Sequence, residues 1–233
     1  MSISSIELFH YPATRSARVK WLLHELVGDA FTIHRVDLYG GEQYSTHYLR
    51  LNPNHAVPTL RVGMDDGSEM TLFESGAILA WLADAFPEKR LAPAPGPSAL
   101  RADYMQMLFF GAAAMDMMLW QIRIHKDVLS DSQSDERTVV RYCTKFASEA
   151  EPQLRERLER ASFICGETFT AADCTTGHCV GWAQRYGMCA DPIFKAYLGR
   201  LSERPAYAAA FADAKQFVPQ VPRNTLALGA FTG

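Results

Sequence analysis

Four prolines at 87, 93, 95 and 97, with Gly96 among them, divide this chain more sharply than any other feature. Proline lacks an amide hydrogen, fixes its own φ, and pushes the residue before it toward extended conformations. No helix and no central strand runs through such a cluster, so the segment reads as a linker. Hydrophobic patterning differs on its two sides. Before it, short runs with a period of two alternate with helical runs; beyond it only the helical period recurs. The expected organisation is a mixed α/β domain over 1–86, a linker over 87–97, and an all-helical domain over 98–233.

In the first part, Ile6 to His10 reads as a strand running into Tyr11-Pro12. Ser16 to Leu26 places Val19, Leu22, Leu23 and Leu26 at helical spacing, and Gly28-Asp29 ends it. Phe31 to Leu38 alternates as a strand, and Tyr44 to Leu51 makes a short helix stopped by Asn52-Pro53. Thr59–Val62 and Met70–Phe73, around Asp65-Asp66-Gly67, form a hairpin, and Ser75 to Phe86 is a helix. A parallel crossover followed by an antiparallel hairpin gives a four-stranded mixed sheet with helices packed on it. In the second part, helices are expected at 98–129, 136–161, 171–186, 193–202 and 206–217. A tail of turn formers and small residues follows from Val218.

Composition narrows the function classes. At 48% hydrophobic and 21% charged residues, the 233-residue chain has the make-up of a globular protein with a sizeable core. Its net charge of -3 offers no electrostatic case for nucleic acid or an anionic membrane. The most apolar run, 107–120, is interrupted by Asp116 and reads as too short to span a bilayer. Met-Ser-Ile-Ser-Ser-Ile-Glu is not a basic stretch followed by a long apolar run, so the cytoplasm is the expected compartment. The five cysteines, at irregular spacing, do not form a disulfide framework. Cys174, His178 and Cys179 lack a second ligand pair, so no metal is expected.

Two local signals remain. Pro58 opens the third strand, a position proline tolerates because no ladder hydrogen bond is lost there. Read alone, Val57-Pro58 is an ordinary strand start; a cis bond would turn the Val57 amide and carbonyl toward a ligand. Glu74-Ser75 stands at a helix N-terminus, where backbone amides and the helix dipole favour an anion. Further on, Thr170 precedes a helical run with Asp173 three positions later, a capping box whose role is helix nucleation.

Taken in order, these elements resemble a cytosolic glutathione S-transferase. The resemblance rests on a thioredoxin-like first domain, Val57-Pro58 before its third strand, Glu74-Ser75 at its third helix, and Gly166-x-x-x-Thr170-x-Ala172-Asp173 in a helical second domain. It covers roughly Ile6 to Phe217. Asn52-Pro53-Asn54-His55-Ala56-Val57-Pro58-Thr59-Leu60 is most similar to the serine-type delta and theta-like classes, and Tyr11-Pro12-Ala13-Thr14-Arg15-Ser16-Ala17-Arg18 to bacterial and fungal members.

The resemblance implies glutathione as co-substrate, with no metal. Val57 would pair through its backbone with the cysteinyl residue, as an added strand does. Ser75 would hold the γ-glutamyl carboxylate, Glu74 the ammonium group, and His55 the glycine carboxylate. His55 reads equally well as a turn residue after Asn-Pro. The thiol must ionise to react, and a hydroxyl donating to the sulfur favours the thiolate by about 1.5–3 kcal/mol. Register with serine-type members puts that hydroxyl at Thr14, and Ser16 and Tyr11 are the alternatives. A threonine there is also an ordinary helix N-cap. Arg15 and Arg18 read as surface charges.

The electrophile pocket would draw on Tyr11, Phe110, Met115, Met118 and Trp120, although a methionine-rich helix is more often plain core. The implied reaction is thiolate attack on a small hydrophobic electrophile. A glutathione-dependent isomerase, peroxidase or dehalogenase would use the same thiolate, and a non-catalytic glutathione-binding protein would keep the fold alone. With no cysteine in the first turn, exchange through a protein thiol is disfavoured. A homodimer is the implied assembly.

Overall fold

A computed structural model of the chain describes residues 2–219. It forms two compact units: Met1–Leu79 with the segment that begins at Ala206, and Ala80–Pro205.

The first unit is built on a four-stranded sheet in the order β2-β1-β3-β4. Its strands are β1 (Ile3–His10), β2 (Thr32–Arg35), β3 (Thr59–Met64) and β4 (Glu69–Phe73). β1 runs parallel to β2 and antiparallel to β3, and β4 returns antiparallel beside β3. Three helices accompany it: α1 (Ser16–Val27), α2 (Thr46–Leu51) and α3 (Ser75–Ala85). This is the four-stranded mixed sheet that the patterning predicts, in the thioredoxin-like arrangement that the resemblance implies.

Register explains the core. Ile6 lies opposite Val62 and Leu8 opposite Leu60, so four buried apolar side chains share one face of the sheet. Phe9 points to the other face, into a second cluster with Tyr11, Val36, Tyr48 and Val57. β2 is shorter than the expected 31–38, because its pairing with β1 ends at Arg35. Val36 nevertheless donates its amide to the His10 carbonyl at 2.9 Å and is buried.

The C-terminal segment returns to this unit. Tyr207 and Phe211 pack edge-on against the buried Trp21 ring at 5.0 and 6.1 Å. After a 3-10 turn at Ala214–Gln216, Arg35 donates to Gln216 and the Tyr39 hydroxyl to the Val218 carbonyl. Phe217 packs on the Phe9–Tyr11 cluster. Of the expected tail from Val218, only Val218 and Pro219 fall within the described residues.

The second unit is helical. Its elements are α4 (Ala99–Phe109), α5 (Asp116–Arg123), α6 (Glu136–Lys145), α7 (Glu151–Arg160), α8 (Ala171–Gln184) and α9 (Pro192–Ser202); α10 (Pro205–Phe211) follows. π-helical turns at Phe110–Met115 and Ile124–Val128 continue α4 and α5, and one at Phe146–Ala150 joins α6 to α7. The extra residue in each such turn is invisible to a 3.6-residue period. Gly111 lies in the first of them, where a Cβ would come within 2.6 Å of Thr175 Oγ1.

The continuous helix Ala99–Val128 is 30 residues long, and its length and apolar content would suit a membrane span. It is longer than the 107–120 run read from the sequence. In this fold its Tyr104, Met107, Leu108, Leu119 and Ile122 side chains are buried. The capping box at Thr170 and Asp173 forms as expected, with the Thr170 amide donating to Asp173 Oδ2 at 2.9 Å.

Candidate functional site

The turn from β1 to α1 carries the three candidate hydroxyls, and it separates them by exposure. Ala13 adopts a positive φ of 52°, a left-handed conformation that reverses the chain between Pro12 and Thr14. Thr14 is half-buried, and its hydroxyl donates to the Tyr11 carbonyl at 2.8 Å. Ser16 is fully buried. Its oxygen lies 2.7 Å from His10 Nδ1, 2.9 Å from Thr14 Oγ1 and 3.1 Å from the Tyr11 amide. Tyr11 is buried too, with its ring edge-on to Tyr39 at 5.4 Å and 5.7 Å from the Arg35 guanidinium. Burial pushes its phenol pKa up, so Tyr11 stays neutral. Thr14 alone of the three has both a donor hydrogen and solvent access.

Thr14 does not act as the N-cap of α1. That position falls on Arg15, which has helical angles and no side-chain cap. Thr14 still meets the start of the helix, its carbonyl accepting from the Ala17 amide at 2.9 Å and its hydroxyl from the Ser16 amide at 3.4 Å.

The second group of candidates sits on the loop between α2 and β3. Ladder pairing of β3 begins at Thr59, so Val57 lies outside it, and the Val57–Pro58 bond is cis. Asn52, 1% exposed, builds this loop from within. Its carboxamide nitrogen donates to the Ala56 carbonyl at 2.9 Å and to Thr59 Oγ1 at 3.1 Å, and its oxygen accepts the Asn54 amide at 2.9 Å. The Tyr48 hydroxyl adds a 2.7 Å bond to the Ala56 carbonyl. His55 is exposed, with φ 44°, and its ring lies 4.9 Å from that of Tyr44.

The third group opens α3. Glu74 is exposed at φ 70°, and its carbonyl accepts the Ile78 amide at 2.9 Å, starting the helix. Ser75 is 5% exposed and takes a 3.3 Å hydrogen bond from Arg18 Nη1. Arg18 is not a surface charge: it is fully buried, and its guanidinium stands beside the α3 N-terminus. The spacing of apolar residues on α1 gives no hint of this, because position 18 falls between core positions and carries a charge.

Behind the turn lies a network that sequence reasoning missed. His10, 1% exposed, places Nε2 at 3.1 Å from Asp213 Oδ2, and Lys20 donates to the same oxygen at 2.8 Å. Burial pushes the His10 imidazole down to about 4, with Lys20 and Arg35 acting in the same direction and Asp213 opposing. Burial pushes the Asp213 carboxyl up, but its bonds from Lys20 and His10 more than offset this and leave it below the usual carboxylate value. No local motif links positions 203 residues apart.

Four residues proposed for an electrophile pocket lie in the second unit. Phe110 and Trp120 are half-buried, whereas Met115 and Met118 are 0% and 2% exposed and belong to its core. Cys174 and Cys179 are likewise buried, and among the described residues no three His, Cys, Asp or Glu side chains gather as metal ligands.

Comparison with known proteins agrees with this fold. Residues 4–84 match the family described as glutathione S-transferase, N-terminal domain. The disulfide-bond oxidoreductase YfcG of Escherichia coli K12 is 29% identical over 90% of this chain and 96% of its own length. Glutathione S-transferase GstA of Escherichia coli O157:H7 is 29% identical over 86% of this chain and 94% of its own. A glutathione transferase family member from Pseudomonas fluorescens pf-5, crystallised with two glutathione bound, superimposes with a TM-score of 0.77. It is 27% identical and covers 89% of this chain and 92% of its own. Residues 4–84 thus carry a glutathione S-transferase N-terminal domain, and the chain as a whole is similar to glutathione transferases.

Proposed function

We propose that this protein binds glutathione on its first unit and activates the thiol through Thr14 for attack on a small hydrophobic electrophile. One observation carries the reading: Thr14 is half-buried in the β1–α1 turn, while Ser16, 2.9 Å from its hydroxyl, is fully buried. A bound thiolate draws the Thr14 hydrogen away from the Tyr11 carbonyl and onto the sulfur. Such a charge-assisted bond lowers the thiol pKa by about one to two units from its usual value near 8.5.

The remaining contacts follow from the shape of the tripeptide. Val57, outside the ladder, pairs with the cysteinyl backbone. Ser75 and the first amides of α3 hold the γ-glutamyl carboxylate, reinforced by the Arg18 cation. Glu74 faces the ammonium group, and His55 donates to the glycine carboxylate. The family habit supports a homodimer working in the cytoplasm without a metal.

A second reading has its own support, in the relative named for disulfide-bond oxidoreduction and the similar structure with two glutathione bound. The activated thiolate attacks a disulfide, releasing one thiolate and forming a mixed disulfide. A second glutathione then resolves it, so two glutathione thiols and one disulfide become oxidised glutathione and two thiols. No protein cysteine is consumed.

The deciding experiment follows the ultraviolet thiolate absorbance of bound glutathione against pH. Turnover with an aryl halide and with 2-hydroxyethyl disulfide is measured alongside. A lowered thiol pKa in wild-type protein, lost in Thr14→Ala, is the expected result. Glutathione that binds with an unshifted thiol would overturn both catalytic readings in favour of a non-catalytic binding protein.

A further inference from the structure

We propose that Asp213, acting through His10, fixes the direction of the Ser16 hydrogen and thereby tunes the Thr14 hydroxyl that meets glutathione. The inference rests on the thiol-activating reading of Thr14.

The argument is a count of hydrogens. An ionised carboxylate only accepts, so the His10 nitrogen facing Asp213 Oδ2 at 3.1 Å must carry the ring's hydrogen. His10 is neutral near pH 7 because burial lowers its pKa to about 4, so Nδ1 is a bare acceptor. The atom facing Nδ1, at 2.7 Å, is Ser16 Oγ, which therefore donates inward. The Tyr11 carbonyl, at 3.1 Å, is the more distant acceptor for that hydrogen, so Ser16 has only lone pairs to offer the Tyr11 amide at 3.1 Å and Thr14 Oγ1 at 2.9 Å. Thr14 keeps its one hydrogen free to choose among Ser16, the Tyr11 carbonyl at 2.8 Å and a ligand sulfur.

Two alternatives fail on magnitude or geometry. Ser16 is no donor to the sulfur, because it is fully buried and its hydrogen is committed to His10. His10 is no store for the thiol's proton. With the imidazole at about 4 and a thiol near 8.5, transfer would be uphill by roughly four units.

What Asp213 does is hold the Ser16 hydrogen back from Thr14. The charged groups around His10 are Asp213, Lys20 and Arg35. Without the carboxylate, Lys20 would face Nε2 and favour its lone pair, shifting the ring hydrogen to Nδ1. Nδ1 would then donate to Ser16, and Ser16 would turn its hydrogen to Thr14 Oγ1 at 2.9 Å, the nearer of its two remaining acceptors, the other being the Tyr11 carbonyl at 3.1 Å. A hydroxyl that accepts one hydrogen bond donates the next more strongly. Asp213 thus moderates the thiol, and a thiolate of higher pKa is the better nucleophile once formed.

The test uses full-length protein and the ultraviolet titration of bound glutathione, with S-methylglutathione affinity as the check on an intact site. Asp213→Ala should lower the bound thiol pKa by roughly 0.4 unit. The lowering should vanish when Ser16→Ala is combined with it, as a through-space charge effect would not. Loosening of the turn predicts the opposite sign, a rise toward the free thiol. A rise, no change, or a fall that persists without Ser16 overturns the proposal. Independently of any variant, nitrogen NMR of His10 in the wild type should find the hydrogen on Nε2, and finding it on Nδ1 also overturns it. An unshifted wild-type thiol would instead remove the underlying reading of Thr14.

Discussion

Arg18 and Ser75, 57 residues apart in the chain, meet through a 3.3 Å hydrogen bond from guanidinium to hydroxyl, with both side chains buried. This bond couples α1 to the first residue of α3 and sets a cation beside the helix end assigned to the γ-glutamyl carboxylate. Arg18→Met keeps the stem and removes the charge. Glutathione KM is expected to rise about tenfold or more, from loss of one charge-assisted contact, with kcat changed much less. A change confined to kcat would show that Arg18 serves the thiol instead.

Thr14 is expected to show in kcat/KM. Thr14→Ala should lower it about 10- to 150-fold, the equivalent of a hydrogen bond to a charged group. Thr14→Ser should recover most of it. Ser16→Ala should act chiefly on stability, because it leaves His10 Nδ1 and the Tyr11 amide without their buried partner. Steady-state kinetics alongside urea unfolding separates the two. If Ser16→Ala abolished turnover in a fully stable protein while Thr14→Ala did not, the assignment would be reversed.

How much of this was legible beforehand depends on the range of each interaction. Thr14, His55, Val57 and Ser75 could be singled out because each belongs to a short motif at a strand or helix end, and β3 and α3 do begin at Thr59 and Ser75. β2 was overdrawn because apolar residues continue past its ladder: Val36 is buried just beyond the last paired residue, while Ile33 within the strand is exposed. The π-helical turns left no trace in a helical period. Arg18, Asn52 and the His10–Asp213 pair were missed for another reason. Their partners are brought together only by tertiary packing, and a buried charge cannot be told from a surface one by its spacing.

Stability is expected to depend on pH through His10. Its imidazole titrates near 6.5 when unfolded and at about 4 when folded. Between these values the unfolded chain binds more protons, so stability falls as pH drops through the window. The full contribution is present above 6.5, and about 3 kcal/mol is lost on the way to pH 4. Asp213, held below its ordinary value, adds to the loss at the acid end. Urea titrations at several pH values should show this slope, and His10→Gln should flatten it. An equal slope in His10→Gln would place the effect on other groups.

Asn52 offers a test of the Val57 loop. Asn52→Ala removes two donated bonds and one accepted bond from a side chain only 1% exposed. The expected cost is about 2–4 kcal/mol of stability. Because His55 and Val57 ride on this loop, glutathione KM should also rise, with kcat at saturation little altered. Unchanged KM in a folded Asn52→Ala protein would disconnect the loop from glutathione binding.

Asp173 separates folding from catalysis in the second unit. Its carboxylate is fully buried and accepts from the Ile164 amide at 2.9 Å, the Thr170 amide at 2.9 Å and the Tyr197 hydroxyl at 2.7 Å. Asp173→Ala leaves those donors buried without an acceptor, so its cost should exceed that of an exposed cap and reach about 3–5 kcal/mol. Asp173→Asn keeps one acceptor oxygen and should fall between Ala and wild type. Neither variant touches the β1–α1 turn, so the protein that remains folded should keep the wild-type kcat. Denaturation curves with activity per folded molecule decide the matter. A kcat loss that outruns the unfolded fraction would mean that the α8 N-terminus does more than nucleate its helix.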